Sequence, residues 1–364
     1  MKIAIVVAGG VDRSGPTRVT PCLLWLIQRL VESGHEVHVF ALQQEPKPGR
    51  WILLGASVHN AGARPRRLRI AGALVAEHLR GRFDALHAFG SWTGAIAGLV
   101  GRLFRVPVIV TFAGNEVARL EVIGFGAQLT ASGRAITKLA ARWARVVTVQ
   151  SDYMRNLAGE VGIETVRLTL GVSTRDWVPS PPRGRVAGVP LRIVHVASLN
   201  RVKDQSTLLL AMSRLRAMNV AFELSIFGWD TLEGAVQRQA AGLDLGSHVR
   251  FRGFLAHREL RRRLDEADLL VMTSLHEGGP LVMLEAAMAG VPTVGTAVGH
   301  PSDLSPGAAL SSPAGDPAAL AVNIRRVADD EPLRMKLATA AQQFALAEDA
   351  DFTARKFGEL YRGR

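Results

Sequence analysis

Two glutamates, Glu277 and Glu285, bracket a glycine-led helix start in the stretch SLHEGGPLVMLEAAMAG, which begins at Ser274. The unpaired N–H groups of a first helical turn and the helix dipole favour an anion there. Gly278 and Gly279 let backbone approach a ligand closely, Pro280 falls where a helix begins, and Leu281 continues the first turn. The carboxylates, one before the helix and one about one and a half turns inside it, can accept hydrogen bonds from hydroxyls on either side of that anion. A diphosphate carrying hydroxyl-rich groups fits such a site. The plainer alternative is a capping Glu277 and a solvated Glu285 beside an ordinary strand-to-helix loop.

A second constellation, ASLNRVKDQ, supplies Ser198, Arg201 and Lys203. A guanidinium two residues before an ammonium suits phosphate, although a lysine near a helix start is commonly a surface residue. AGGVDRSG, from Ala8, lacks the spacing of a dinucleotide loop, which disfavours a nicotinamide enzyme and leaves Gly9 and Gly10 as a tight turn. In ALHAF, His87 shares a strand side with Phe89, although a buried, satisfied histidine is the commoner outcome there, and TFAGNE places Asn115 and Glu116 at a strand end, where clefts form but where polar loop residues are commonly just solvated. Phe254 and Leu255 follow the run VRF, where a hydrophobic pair is usually core.

Positioning these residues requires alternating strands and helices. KIAIVV, EVHVFAL, ALHAF, PVIVTF, VVTVQ and TVRLTL read as strands, with helices near 17–33, 66–80, 92–104 and 133–144. After the Pro- and Gly-rich stretch at 178–190 a second series follows: LRIVHVA, FELSIFG, HVRFRGF, DLLVMTS and PTVG. This predicts an α/β protein with domains at 1–177 and 191–345, a linker at 178–190, and a terminal helical segment at 346–364. At 364 residues two cores are expected.

The formal charge of +12 favours anionic partners. The run RPRRLR from Arg64 adds a local basic patch; most such runs are solvated helix faces, and the sharper reading is docking on an anionic membrane face or a charged acceptor. No aromatics interleave with these arginines, so nucleic acid is not expected as a partner. A single cysteine, Cys22, forbids an intrachain disulfide and permits a reducing compartment. No transmembrane segment and no metal-ligand cluster is read, and a cytoplasmic location is expected.

The segment from Glu277 to Glu285 resembles the Glu-x7-Glu signature of retaining glycosyltransferases of the GT-B fold, in particular the large family 4 that uses nucleotide-activated sugars. The resemblance implies two Rossmann-like, doubly wound parallel-sheet domains facing a cleft, with the last helix crossing back onto the first domain. It implies that Glu277 contacts donor-sugar hydroxyls, Glu285 binds the nucleotide ribose, and the amides from Gly278 to Leu281 hold the diphosphate. Lys203 matches the family lysine on the diphosphate, whereas Ser198 stands where the family has arginine; Arg201 is the candidate replacement. Phe254 and Leu255 match the loop near the base, and Gly9 and Gly10 the loop near the donor sugar and acceptor. Where relatives carry histidines this chain has Phe89 and Ala113, and Gly299 is followed by His300 where a second glycine is usual.

The implied activity is a metal-independent, retaining hexosyl transfer from a nucleotide-diphosphate sugar to an acceptor hydroxyl. The acceptor is a sugar, lipid-linked or small molecule, in glycan, glycolipid or polysaccharide biosynthesis, and no cofactor beyond the donor is expected. The alternatives are a nucleotide-sugar epimerase of the same fold and a non-catalytic sugar-nucleotide-binding subunit.

Overall fold

The structure is a computed structural model describing all residues except Gly15 to Thr17, Ala187 and Arg364, with Arg258 described by its backbone alone. It divides into one unit of Met1–Ser173 with Glu348–Arg364 and a second of Thr174–Ala347.

The first unit runs β1 (Lys2–Val7), α1 (Pro21–Glu32), β2 (Glu36–Ala41), β3 (Gly49–Leu53), β4 (Ala56–Asn60), α2 (Arg66–Arg80), β5 (Ala85–Phe89), α3 (Ser91–Phe104), β6 (Val108–Phe112), α4 (Ala131–Trp143), β7 (Val146–Val149), α5 (Asp152–Glu160) and β8 (Val166–Arg167). Among the described residues these strands form one sheet in the order β3-β4-β2-β1-β5-β6-β7-β8, parallel except for the β3–β4 pair. Helices cover both faces, which is why the strands are near-continuous apolar runs. Along β1, Ile3, Ile5 and Val7 join Leu26, Ile27 and Leu30 of α1, whereas Ala4 and Val6 join Leu74 of α2 and Val100 of α3.

The second unit runs β9 (Leu191–Val196), α6 (Gln205–Ala217), β10 (Phe222–Phe227), α7 (Ala235–Gly242), β11 (Val249–Gly253), α8 (His257–Asp265), β12 (Leu269–Met272), α9 (Leu281–Met288), β13 (Thr293–Thr296), α10 (His300–Leu304), β14 (Leu310–Ser312), α11 (Pro317–Asp329) and α12 (Glu331–Ala347). Its sheet is ordered β11-β10-β9-β12-β13-β14, with every described pair parallel. The last helix, α13 (Ala350–Tyr361), belongs to the first unit. There Phe357 joins the α1 cluster, and Tyr361 Oη lies 2.8 Å from His87 Nδ1.

Several local expectations change. The first helix starts at Pro21 rather than near 17, because proline suits an opening turn and the extended Thr20 precedes it; Thr17 lies outside the described residues. The β3–β4 hairpin was not foreseen. Its turn uses Leu54 and Gly55, both left-handed with φ 51° and 82°. TVRLTL pairs only over Val166–Arg167, and β14 adds a strand beyond PTVG.

The stretch 178–190, apart from Ala187, is not a free connector. Ser180 N donates to Met288 O (2.8 Å) and Arg185 N to Glu331 Oε1 (2.9 Å), so it lies along the second unit, which begins at Thr174. The return to the first unit falls at Glu348, since α12 continues through Ala347.

Candidate functional site

In the second unit β9 is flanked by β10 on one side and by β12 on the other, so the direction of winding reverses between β9 and β12. Loops leaving the carboxyl ends of these two strands diverge and leave room for a ligand. The loop after β9 carries Ser198, Arg201 and Lys203, and the loop after β12 carries Ser274, Glu277 and the glycines.

Backbone and side-chain bonds lock the two loops together. Leu275 N donates to Val202 O (2.7 Å) and Thr273 Oγ1 to Lys203 O (2.8 Å), while Thr296 Oγ1 at the end of β13 holds Ser274 O (2.6 Å). Asn200 Oδ1 accepts from Val202 N (3.0 Å) and Lys203 N (3.1 Å), and Asp204 caps α6 by accepting from Thr207 N (3.2 Å). This framework brings Lys203 Nζ onto Glu277 Oε1, which also accepts from Ser274 Oγ (2.6 Å). The sequence proposed the two residues separately, and the structure makes them an ion pair. Ser198 is half-buried, its carbonyl accepting from Gln205 Nε2 (3.2 Å), and Arg201 is exposed in the turn before Lys203.

The glycines lead through Pro280, which caps α9 without a side-chain bond. Gly299 explains the altered turn after β13. At φ +59° it is left-handed, and a Cβ there would stand 2.9 Å from Glu277 Cβ and 3.1 Å from Pro280 Cδ. Absence of a side chain lets this turn back the Glu277–Pro280 loop. His300 is instead a core residue, 1% exposed against Phe344.

Glu285 lies in the second turn of α9 and is 4% exposed. Its Oε1 lies 2.5 Å from His257 Nε2, and the buried Trp177 brings Nε1 to 3.1 Å of the same nitrogen. Neither His257 nor Trp177 was singled out in the sequence, although His257 lies three residues beyond Phe254. Phe254 is 46% exposed and stacks on Trp229, 63% exposed, with centroids 5.1 Å apart and planes 18° apart. Phe254 is therefore not a core residue. Trp229 follows β10 and was missed because an aromatic after a strand usually reads as core. Leu255 is half-buried.

The first unit repeats the logic. β1 lies between β2 and β5, and the loops after β1 and β5 open a cavity of about 870 Å³. Gly9, Gly10, Asn115 and Glu116 line it, with Phe89 and Ala113. Gly10 has φ +86° and donates its N–H to Gln44 Oε1 (2.7 Å). Glu116 is 7% exposed; burial raises its pKa, and Gly114 N donates to its Oε2 (2.9 Å).

His87 is not on the cavity wall. Its ring is wholly buried, with Nδ1 2.8 Å from Tyr361 Oη and Nε2 2.8 Å from Thr111 Oγ1, and burial lowers its pKa to about 3. The period-two reading gave the correct side. However, two residues back along a strand is roughly 6.6 Å deeper, beneath the wall that Phe89 forms.

Among the described residues, no helix is long and apolar enough to cross a membrane. His38, His59 and Glu77 bring potential ligand atoms within 4.8 Å of one another, yet Lys2 Nζ (2.9 Å) and Arg80 Nη1 (3.2 Å) already occupy the two oxygens of Glu77.

Residues 19–171 match the family described as "Glycosyl transferase 4-like domain", and residues 184–344 match "Glycosyl transferases group 1". The putative glycosyltransferase EpsF of Bacillus subtilis is 27% identical over 232 residues, covering 59% of this chain and 57% of EpsF. Sucrose-phosphate synthase from Thermosynechococcus elongatus superposes with a TM-score of 0.82 at 20% identity, over 100% of this chain and 99% of that one. HepE of Anabaena, solved in complex with UDP-glucose, gives a TM-score of 0.76 at 17% identity over the whole of both chains. Two consecutive family matches span most of both units, each built on a switch-point sheet, and the chain is a member of the GT-B glycosyltransferases of the family 4 type.

Proposed function

We propose that the chain catalyses metal-independent transfer, with retention, of a sugar from a nucleotide-diphosphate donor held on the second unit to an acceptor hydroxyl held on the first. The observation that carries this reading is the Lys203–Glu277 pair at the β9/β12 switch point, beside the helix start that precedes Glu285. The structure of HepE with UDP-glucose supports a donor of this class. Both family matches describe transferases, which favours transfer over the epimerase and binding-subunit readings.

The bond between the anomeric carbon and the diphosphate oxygen breaks, and its electron pair leaves with the nucleotide diphosphate. The acceptor oxygen forms the new bond from the face the leaving group vacates, and its proton passes to the departing phosphate. Lys203 and the amides from Gly278 to Leu281 stabilise the charge that develops on the leaving group. Glu277 holds donor-sugar hydroxyls through the oxygen not engaged by Lys203. Glu285 accepts from ribose hydroxyls once His257 gives way, and Phe254, Leu255 and Trp229 flank the base. Arg201, exposed in the same turn, supplies the charge of the missing family arginine.

The experiment is turnover with a panel of nucleotide sugars, reading free nucleoside diphosphate and the anomeric configuration of the product in the presence and absence of EDTA. Retained configuration and undiminished turnover in EDTA are expected. An inverted product or abolition by EDTA refutes the corresponding part of the reading, and an altered free sugar without transfer identifies an epimerase.

A further inference from the structure

The ring nitrogen that meets Glu285 is claimed twice. His257 Nε2 lies 2.5 Å from Glu285 Oε1 and 3.1 Å from Trp177 Nε1. An indole N–H can only donate, and an ionised carboxylate can only accept. Carrying a hydrogen, Nε2 satisfies Glu285 and turns a donor toward the Trp177 donor. Bare, it satisfies Trp177 and turns a lone pair toward the carboxylate. One nitrogen therefore serves one neighbour at a time, and the mismatch is buried, since Trp177 is 1% exposed and Glu285 4%.

The frame around the ring is tied down. Further along α8, Arg261 donates to Val178 O (2.7 Å) and Ser180 Oγ (2.6 Å) and stands 5.5 Å from the Trp177 ring centroid, which fastens the helix to the segment carrying the indole. His257 opens that helix and meets Trp177 edge-on, with centroids 5.0 Å apart. Its side chain is 34% exposed, so the ring has solvent on one side into which it can turn.

We propose that His257 is an internal competitor for the ribose carboxylate: it holds Glu285 in the free protein, and the ribose hydroxyls of a nucleotide displace it onto Trp177. This rests on the reading of Glu285 as the ribose acceptor and adds what sets the strength of that contact. When the hydroxyls donate to Glu285, Nε2 is released to accept from the indole. The charge-assisted contact given up is stronger than the neutral one gained, so the exchange lowers nucleotide affinity. It acts as any equilibrium does in which the binding-competent form is only a fraction of the molecules. In a transferase the effect falls on the nucleoside diphosphate that remains after the sugar has moved, and the return of His257 to Glu285 helps to expel it.

The test measures UDP, ADP and GDP binding to the full chain by calorimetry, with thermal melting on the same preparations. His257→Ala is expected to tighten nucleotide binding about three- to tenfold and yet to melt lower without nucleotide, because it removes a contact of the free protein. A merely structural role would not raise affinity. His257→Phe keeps a ring edge against Trp177 and is expected to tighten binding likewise, so the outcome does not depend on one variant folding. Trp177→Phe is expected to act the other way and weaken binding several-fold, because the displaced ring then has no indole to accept from. In a Glu285→Ala background the effect of His257→Ala is expected to vanish. Inhibition of turnover by nucleoside diphosphate is expected to sharpen in His257→Ala by the same factor as binding. Affinity unchanged or weakened by both His257 variants, tightening that persists without Glu285, or parent-like binding by Trp177→Phe overturns the exchange. If Glu285→Ala nevertheless weakens binding, this inference alone falls and the ribose reading stands. If no nucleotide binds, or Glu285→Ala is silent, the ribose reading fails and takes the inference with it.

Discussion

Replacing Lys203 with alanine removes the ammonium that pairs with Glu277 at the mouth of the β9/β12 loops. Two consequences separate cleanly. For folding, the side chains are 27% and 11% exposed, so the pair lies between a surface ion pair and a buried one. Breaking it costs about 1–3 kcal/mol, reduced because Ser274 still donates to the same carboxylate oxygen at 2.6 Å. For catalysis, a unit charge about 4 Å from a developing anion at an effective dielectric near 20 is worth about 4 kcal/mol. Loss of one preorganised donor typically costs about 2.7–4 kcal/mol in the transition state, or roughly 100- to 1,000-fold in kcat. The assay is release of nucleoside diphosphate under saturating donor, with thermal melting on the same preparation. Lys203→Arg keeps the charge and is expected to recover part of the rate. A folded Lys203→Ala protein whose kcat stays within about threefold of the parent refutes the assignment, because no charge acting on the departing diphosphate could be so dispensable.

Glu285→Ala is expected to weaken nucleoside diphosphate binding by about 1.5–3 kcal/mol, the value of an ionised acceptor, and unchanged affinity by calorimetry sinks the ribose assignment. Gly299→Ala is expected to lower both the melting temperature and turnover, since it forces a left-handed backbone and a contact 2.9 Å from Glu277 Cβ; parent-like behaviour in both would be contrary. Acid should destabilise both units. Burial lowers the pKa of His87 to about 3 and of His195 to about 4, so their stabilisation is present above the unfolded value near 6.5 and is lost as pH falls through 6.5 toward those values. At about pH 5 each costs about 2 kcal/mol, and a denaturation midpoint unchanged between about pH 7.5 and 5 would show the two rings are not buried neutral.

The candidate donor residues lie close together in the chain because strand, glycine turn and helix succeed one another, so local geometry alone brings Glu277 and Pro280 into one loop and Glu285 into the helix that follows it. Partnerships across the sheet were not readable. Lys203 meets Glu277 because β9 and β12 are neighbours across 74 residues, and His257 meets Glu285 across 28. The β3–β4 hairpin escaped notice because β3 alternates between partly buried and exposed positions at a sheet edge and offers no apolar run. For His87 the pattern gave direction without depth, and depth decides whether a ring meets ligand or core.

The membership of α13 in the first unit gives the molecule an order of assembly. Chain entering the solvent from the ribosome presents Met1–Ser173 first, then the entire second unit, and only afterwards the helix that completes the first. During that interval Arg29, 4% exposed when complete, lacks Asp351, and His87 lacks Tyr361. The apolar bed that receives Phe357 stays open to water while the second unit, contiguous from Thr174 to Ala347, is free to fold on its own. A nascent chain stalled before Ala350 would therefore carry a sticky seam on its first half, and chaperone capture during synthesis should concentrate there.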